Sequence, residues 1–259
     1  MMGRGKRRRK KKALPLFVLV LALLLSAFVI YRLVTVERIY YSPYTGLSYT
    51  TTAPVKAVGI DVSQHQGEID WQAVQDDGIE FAFIRAAYRG TSVGSLAVDT
   101  RFSANIEEAQ AAGIKVGVYI FSQAITTQEA EEEAAFLISL ISAYDLDLPL
   151  VLDYEFDQSH TGRLAAAELS KEEKTGIVLA FCEYVTEQGY SPMIYGNAHM
   201  LKEFLQTEEI EKKAAIWYAN YNDTVLTESY ALWQYTESGT VAGISGNVDC
   251  DFAFVTLRP

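Results

Sequence analysis

The chain has 259 residues, 49% of them hydrophobic, which is enough for one domain with a sizeable core. Its net charge of −11 is unevenly distributed, because eight basic residues and no acidic residue lie between Arg4 and Lys12. Residues 33–259 keep 13 of the 22 basic residues and all 33 acidic ones, a net charge of −20. This charge excludes binding of nucleic acid or anionic lipid by simple electrostatic attraction to that part of the chain.

An uncharged run, "ALPLFVLVLALLLSAFVIY" from Ala13 to Tyr31, follows the basic cluster. It is close to the roughly 20 residues that span a hydrocarbon core. A cleaved signal peptide is the alternative, but its apolar region is only about 7–15 residues long and ends in a small-x-small site, for which "LLSAFVIY" is a poor match. We therefore predict an uncleaved membrane anchor over residues 13–33. The basic tail, residues 1–12, is expected in the cytoplasm, and the rest of the chain is expected outside the cell membrane, facing the cell wall.

Residues 34–54 include "YYSPYTGLSYTTTAP", which is rich in Ser, Thr and Tyr and has no hydrophobic period. We interpret this segment as an extracytoplasmic stalk that connects the membrane to a globular domain. That domain is expected to cover residues 55–259.

Eight short apolar runs follow in the globular part, most of them separated by helical patterns. The runs occupy residues 57–63, 81–88, 115–122, 148–155, 191–197, 214–220, 231–236 and 247–254. Helices are expected over residues 71–77, 101–112, 127–143, 171–188 and 198–212. Strands that alternate with helices predict a parallel sheet, and eight of them predict a closed α/β barrel.

The last two gaps, residues 221–230 and 237–246, are shorter than the dozen or more residues of a helical crossover. We therefore expect the last strands to be antiparallel. The predicted fold is a flattened TIM-like barrel with fewer helices than strands.

The run "LPLVLDYEFD" ends a buried strand in two carboxylates, Asp153 and Glu155. Alternate residues of a strand point to the same side, so both carboxylates lie on one face. Two buried negative charges are unfavourable there unless they are paired, solvated or used in catalysis. One interpretation is a strand end that reaches solvent, and the other is an acid pair for glycosidic bond cleavage. Asp61 in "GIDVSQHQG" and Asp249 in "GNVDCDF" are two further acids on predicted strands. In such barrels the chemistry lies at the C-terminal ends of the strands.

Aromatic residues accompany the acids on the same strands. Rings stack on the CH faces of sugars, and carboxylates serve proton transfer and the oxocarbenium-like transition state, so the combination suits a sugar polymer. Each ring by itself is more typical of the core than of a sugar-binding surface. The predicted substrate-binding residues are Tyr119, Phe121, Tyr195, Trp217, Tyr221 and Gln234.

The two cysteines, Cys182 and Cys250, are predicted to be buried and unpaired, because they fall on elements that lie far apart in a barrel. The spacing of cysteines and histidines matches no zinc motif. We expect neither a metal nor another cofactor.

In their order along the chain, seven motifs resemble glycoside hydrolase family 25, the lysozyme or N-acetylmuramidase family. They are "GIDVSQHQGEIDW", "FAFIRAAYRG", "AGIKVGVYIFSQA", "LPLVLDYE", "IWYANY", "LWQYT" and "GNVDCDF". The resemblance covers about residue 57 to the end, and it implies a flattened eight-stranded barrel. It also implies hydrolysis of the β-1,4 bond between N-acetylmuramic acid and N-acetylglucosamine in peptidoglycan. The family's acidic positions match Asp61, Asp153, Glu155 and Asp249.

Two positions depart from the family pattern. Tyr88 stands where many relatives carry a glutamate, and Cys250 and Asp251 stand where relatives often have Leu-Asn. The resemblance implies Glu155 as general acid, with Asp153 either attacking the anomeric carbon or orienting the substrate's 2-acetamido group. A chitinase-like barrel and a catalytically silent wall-binding barrel are the rival interpretations.

Overall fold

The computed structural model describes residues 18–27, 37–222, 224–225 and 230–256. Residues 18–27 are helical. No helix within the described residues combines the length and the apolar character needed to cross a membrane. The predicted tail and much of the predicted anchor lie outside the described residues, so both stay predictions.

The described chain alternates strands and helices from residue 57 onward. The strands are β1 (Arg38–Ser42), β2 (Leu47–Thr51), β3 (Ala57–Val62), β4 (Phe81–Arg89), β5 (Leu96–Val98), β6 (Lys115–Ser122), β7 (Leu150–Tyr154), β8 (Pro192–Asn197), β9 (Ala215–Ala219), β10 (Thr224–Val225), β11 (Leu232–Gly239) and β12 (Val248–Ala253). The helices are α1 (Trp71–Asp76), α2 (Phe102–Ala111), α3 (Thr127–Ile141), α4 (Arg163–Ala166), α5 (Lys171–Glu187) and α6 (Thr207–Ile210).

Local sequence signals explain where the main helices begin and end. Ser170 and Glu173 form a capping box at the start of α5, and the side chain of Thr126 accepts a hydrogen bond from the Glu129 backbone at the start of α3. Gly113 and Gly189, with φ of 81° and 87°, follow α2 and α5 and turn the chain into β6 and β8. The helix predicted over residues 198–212 is interrupted, because a π-helix (Met200–Phe204) is followed by the short α6, and residues 205 and 206 between them are not helical.

Eight strands close into the predicted barrel, in the order β3, β4, β6, β7, β8, β9, β11 and β12. Strand β3 closes it by pairing with both β4 and β12. Strand β5 adds to the outer edge of β4. The eight-stranded barrel with fewer helices than strands is thus confirmed.

The direction of the last strands differs in part from the expectation. Strand β12 is antiparallel to both neighbours, as expected, but β11 runs parallel to β9. The connection over residues 220–231 is just long enough for a crossover. The described part of this connection contains no helix, and β10 within it pairs with β2.

Strands β1 and β2 form an antiparallel hairpin on the outer wall of β11 and β12. The ring of Tyr49 packs edge-on against the rings of Trp233, Tyr235 and Phe252, with centroids 4.6–6.0 Å away. The hydroxyls of Ser42 and Tyr235 are hydrogen-bonded at 2.9 Å. Within residues 34–54, which we predicted to be a stalk, the described residues thus include a hairpin that packs on the barrel. Its buried tyrosines escape a search for periodicity because each strand is only five residues long.

Replacing Tyr49 with leucine is expected to lower the free energy of unfolding by about 1–3 kcal/mol, because the substitution removes edge contacts with three rings. Tyr41 lies on the opposite, exposed face of the same hairpin, and Tyr41→Leu is expected to change stability by less than about 0.5 kcal/mol. Denaturant unfolding of the two variants measures the difference. Equal effects would show that the hairpin does not help to hold the barrel wall.

Candidate active site

All ten predicted site residues line one cleft of about 620 Å³ at the C-terminal ends of the parallel strands. They are Asp61, Tyr119, Phe121, Asp153, Glu155, Tyr195, Trp217, Tyr221, Gln234 and Asp249. Asp249 lies near the start of β12, and it reaches the cleft because β12 is antiparallel to its neighbours. In the β3–β12 pairing, Asp249 stands directly opposite Asp61.

Asp153 and Glu155 stand at the end of β7. Asp153 is buried, whereas Glu155 follows the last residue of the strand and is partly exposed. Burial raises the pKa of Glu155 to about 7, with further increases from the charges of Asp249 and Glu237 and an opposing hydrogen bond from Asn197. Burial, followed by the charge of Glu155, also raises the pKa of Asp153 well above its usual range. Glu155 in this environment can hold a proton near neutral pH.

A hydrogen-bonded set of neutral groups holds Asp61. The Gln234 Nε2 amide donates to Asp61 Oδ2 at 2.7 Å. The hydroxyls of Tyr195 and Tyr221 both donate to Gln234 Oε1 at 2.8 Å. Strand β11 thus positions one acid and two aromatic rings of the cleft through a single glutamine.

Glu155 is also anchored through its backbone. Gln123, which directly follows β6, donates from Nε2 to the Glu155 carbonyl at 2.9 Å. Arg163 in turn donates to the Gln123 carbonyl at 2.9 Å and forms a two-bond ion pair with Glu129 on α3. The residue after the strand end is therefore held by an ionic network behind the cleft.

Two functional residues were missed by the sequence analysis. Arg85 on β4 lines the cleft, lies 2.8 Å from Asp99 Oδ2 and lowers the pKa of Asp153 electrostatically. Asp251 on β12 is completely buried and accepts a 2.7 Å hydrogen bond from Trp217 Nε1. Arg85 is the one charged residue in the apolar run 81–88, and Asp251 shares a strand face with Asp249. These two sequence features could have identified both residues.

The described residues contain no group of three or more His, Cys, Asp and Glu side chains suited to hold a metal ion. The cleft is lined by carboxyls, amides, aromatic rings, Arg85 and His65. Cys182 and Cys250 are buried and unpaired.

Known proteins resemble this chain over the barrel. The autolytic lysozyme of Clostridium acetobutylicum is 28% identical over 195 residues, which cover 74% of this chain and 54% of that protein. A solved bacterial lysozyme from Streptomyces coelicolor is 30% identical with a TM-score of 0.64, covering 75% of this chain and 90% of that one. The modular autolysin LytC from Streptococcus pneumoniae, solved with a synthetic peptidoglycan ligand, is 26% identical with a TM-score of 0.68, covering 83% of this chain and 51% of that one.

The chain therefore spans about half the length of the autolytic lysozyme and of the modular autolysin. The sequence profile of Glycosyl hydrolases family 25 matches residues 60–244, which run from the strand that bears Asp61 to the loop before β12. That match covers well over half of the chain and contains most of the cleft. On this evidence the chain belongs to glycosyl hydrolase family 25.

Proposed function

We propose that this protein is a peptidoglycan hydrolase that cleaves the β-1,4 bond between N-acetylmuramic acid and N-acetylglucosamine. The observation that carries the proposal is the pair of carboxyls Asp153 and Glu155 at the end of β7, with the pKa of Glu155 raised to about 7. Phe121 and Tyr221 expose ring surface in the same cleft, and the rings of Tyr119, Tyr195 and Trp217 line it from buried positions. A sugar polymer fits such a cleft, since rings pack against its CH faces while the acids reach its glycosidic oxygen.

Glu155 acts as the general acid. In its protonated form it donates to the glycosidic oxygen as the bond to the anomeric carbon breaks. Asp153 is either the nucleophile on that carbon or the group that orients the substrate's own 2-acetamido oxygen for attack. Asp61 and Asp249 hold the sugar or tune the pair. Both routes predict a product that retains the β configuration.

Digestion of purified peptidoglycan tests the function. New reducing ends on muramic acid are expected. Ends on glucosamine would instead indicate a chitinase-like N-acetylglucosaminidase, and the absence of new ends would indicate a catalytically silent wall-binding barrel. NMR of the first product anomer tests retention, and inhibition by a thiazoline mimic would favour the acetamido route over direct attack by Asp153.

The pH dependence of hydrolysis follows from Glu155. An acid must be protonated to act, so kcat/KM is expected to be highest below the pKa of about 7 and to fall as the pH rises through it. Asn197 Nδ2 donates to Glu155 Oε2 at 3.3 Å and favours the ionised carboxylate. Asn197→Ala should therefore move this fall to higher pH, by about half a unit to one unit for a neutral hydrogen bond. The midpoint of the profile is the measurement, because it does not depend on the fraction of folded enzyme. An unchanged or lower midpoint would contradict the role of Asn197.

The protein acts at the cell membrane. The uncharged run over residues 13–31 after eight basic residues supports a single-pass anchor with the barrel outside, facing the wall. Mass spectrometry of the membrane fraction tests this proposal by searching for the intact N-terminal peptide. A chain that starts near Ser26 or Phe28 would show cleavage instead.

A further inference from the structure

Asp251 is a further carboxyl, buried behind the acids of the cleft, and its hydrogen bonding is incomplete. Its side chain has no exposure to solvent. Oδ1 accepts the 2.7 Å hydrogen bond from Trp217 Nε1, whereas Oδ2 is buried and has no hydrogen-bond partner among the described residues. A buried acceptor without a donor is unfavourable, and for an ionised carboxylate it is more so.

The strand pairing brings Asp251 to Asp61. In the antiparallel pair of β3 and β12, Asp249 stands opposite Asp61 and Asp251 stands opposite Gly59. Residues two apart on a strand point to the same side, so Asp251 lies diagonally across from Asp61 on the face that Asp249 also occupies. The Asp61 carboxyl interacts with both of these carboxyls. Gly59 has no side chain, and the ring of Phe81 fills the space that a side chain would take.

Asp61 already has one oxygen bonded, since Oδ2 accepts from Gln234 Nε2 at 2.7 Å. If Asp61 and Asp251 were both ionised, two negative charges would face each other in the barrel interior and Oδ2 of Asp251 would have no donor. A single proton between the two carboxyls removes one charge and supplies the missing donor. Burial, the largest cause, and the neighbouring carboxyls both favour retention of that proton.

The surrounding carboxyls act in the same direction. The acids that face the pair are Asp249 on β12 and, for Asp61, Asp153 on β7. The remaining titratable neighbours, whose pKa values are all raised by burial, are Tyr119, Tyr195, Tyr221, Tyr235 and Cys250. Arg85 acts on Asp153 and Tyr119 and is itself paired with Asp99.

We propose that Asp61 and Asp251 share one proton, and that Asp251 is a positioning residue that holds Asp61 and Trp217 beneath the cleft. The shared proton deepens the proposed function, because it leaves one negative charge fewer beside Asp153 and Glu155. The proton itself is a property of the folded barrel and can be tested without any measurement of hydrolysis.

The test compares the unfolding of the full-length protein with that of Asp251→Asn between about pH 4 and pH 7. An unfolded aspartate ionises near pH 4, so wild-type unfolding in this range releases the shared proton. If the native protein binds one proton more than the unfolded protein, the native state becomes less stable as the pH rises. The unfolding equilibrium constant then increases by up to about tenfold per pH unit. In Asp251→Asn the amide replaces the proton as donor to Asp61, and its oxygen still accepts from Trp217. The ratio of the wild-type to the variant constant should therefore rise with pH.

Two further variants serve as controls for this comparison. Asp145→Asn, at an exposed position, should keep the wild-type slope. Asp251→Leu, which has neither donor nor acceptor, should be less stable than Asp251→Asn at every pH. A rescue by asparagine but not by leucine indicates hydrogen bonding rather than the filling of space.

A wild-type slope in Asp251→Asn, or a slope lost in Asp249→Asn instead, would overturn the proposal. If Asp251→Asn does not fold, Asp61→Asn removes the same proton and must lose the same slope. Carboxyl ¹³C NMR of the wild-type chain labelled at aspartate needs no variant, and the absence of any protonated aspartate at pH 6 would overturn the proposal directly. If hydrolysis is not detected but the slope behaves as described, the proposed function fails and the shared proton stands.

Discussion

Replacement of Glu155 by glutamine is expected to lower kcat/KM for peptidoglycan by about 10²–10⁴-fold, the contribution of a general acid. Glutamine keeps the shape of the side chain and can still accept the hydrogen bond from Asn197 Nδ2, but it has no proton to give to the leaving oxygen. The loss should be largest below pH 7, where the wild-type acid is protonated, because its pKa is about 7. The measurement is the release of reducing ends over a range of pH.

Glu108→Gln is the matched control, because Glu108 is exposed on α2. This control should keep wild-type activity, and both variants should unfold at the wild-type denaturant concentration. Activity of Glu155→Gln within a few-fold of wild type would remove Glu155 from the role of the acid.

The second large effect is expected at the buried ion pair between β4 and α3. Arg89 Nε lies 2.6 Å from Glu133 Oε1, and the two side chains are 5% and 0% exposed. Ser122 donates to the other Glu133 oxygen at 2.6 Å, and Arg89 also donates to the carbonyls of Gly94 and Glu129. Arg89→Met leaves a buried carboxylate without its cation, which costs about 3–5 kcal/mol of unfolding free energy.

This loss of stability should depend on pH, because Glu133 becomes neutral when it takes up a proton and then no longer needs the cation. Burial already raises the pKa of Glu133 to about 7 with Arg89 present, and removal of the cation raises it further. A raised carboxyl pKa gives stability that is lost as the pH rises, so the variant should be least stable above pH 7 and recover in part towards pH 5. Denaturant unfolding at both pH values measures this effect.

Lys212→Met provides the matched control for Arg89→Met. Lys212 and Glu209 form an exposed pair at 2.7 Å, and such pairs contribute no more than about 1 kcal/mol. A destabilisation of Arg89→Met that is small, or equal at pH 5 and pH 8, would contradict the account of the buried pair.

The network around Arg89 also bears on the cleft. Arg89 donates to the backbone of Glu129, and Glu129 pairs with Arg163, which bonds the backbone of Gln123. Gln123 in turn holds the carbonyl of Glu155. The position of Glu155 is thus tied to charged groups on α3 that do not reach the substrate.

The sequence by itself determined the features that repeat within a few residues. Alternation along a strand placed Asp153 and Glu155 on one side, and alternation of strands with helices predicted the eight-stranded barrel. The ten predicted site residues come together in one cleft because strand ends of a closed barrel meet. Side-chain direction and strand period are local properties, so a single chain segment reveals them.

Only the tertiary structure decided how distant segments meet. Strands β9 and β11 are parallel, and within the connection between them β10 pairs with the distant strand β2. The hairpin over residues 38–51 is held by its packing on aromatic rings of β11 and β12. The hydrogen bond that Asp251 accepts likewise depends on Trp217, which is 34 residues away along the chain. These pairings involve long sequence separations, and their energy comes from burial and charge that exist only once the barrel has closed.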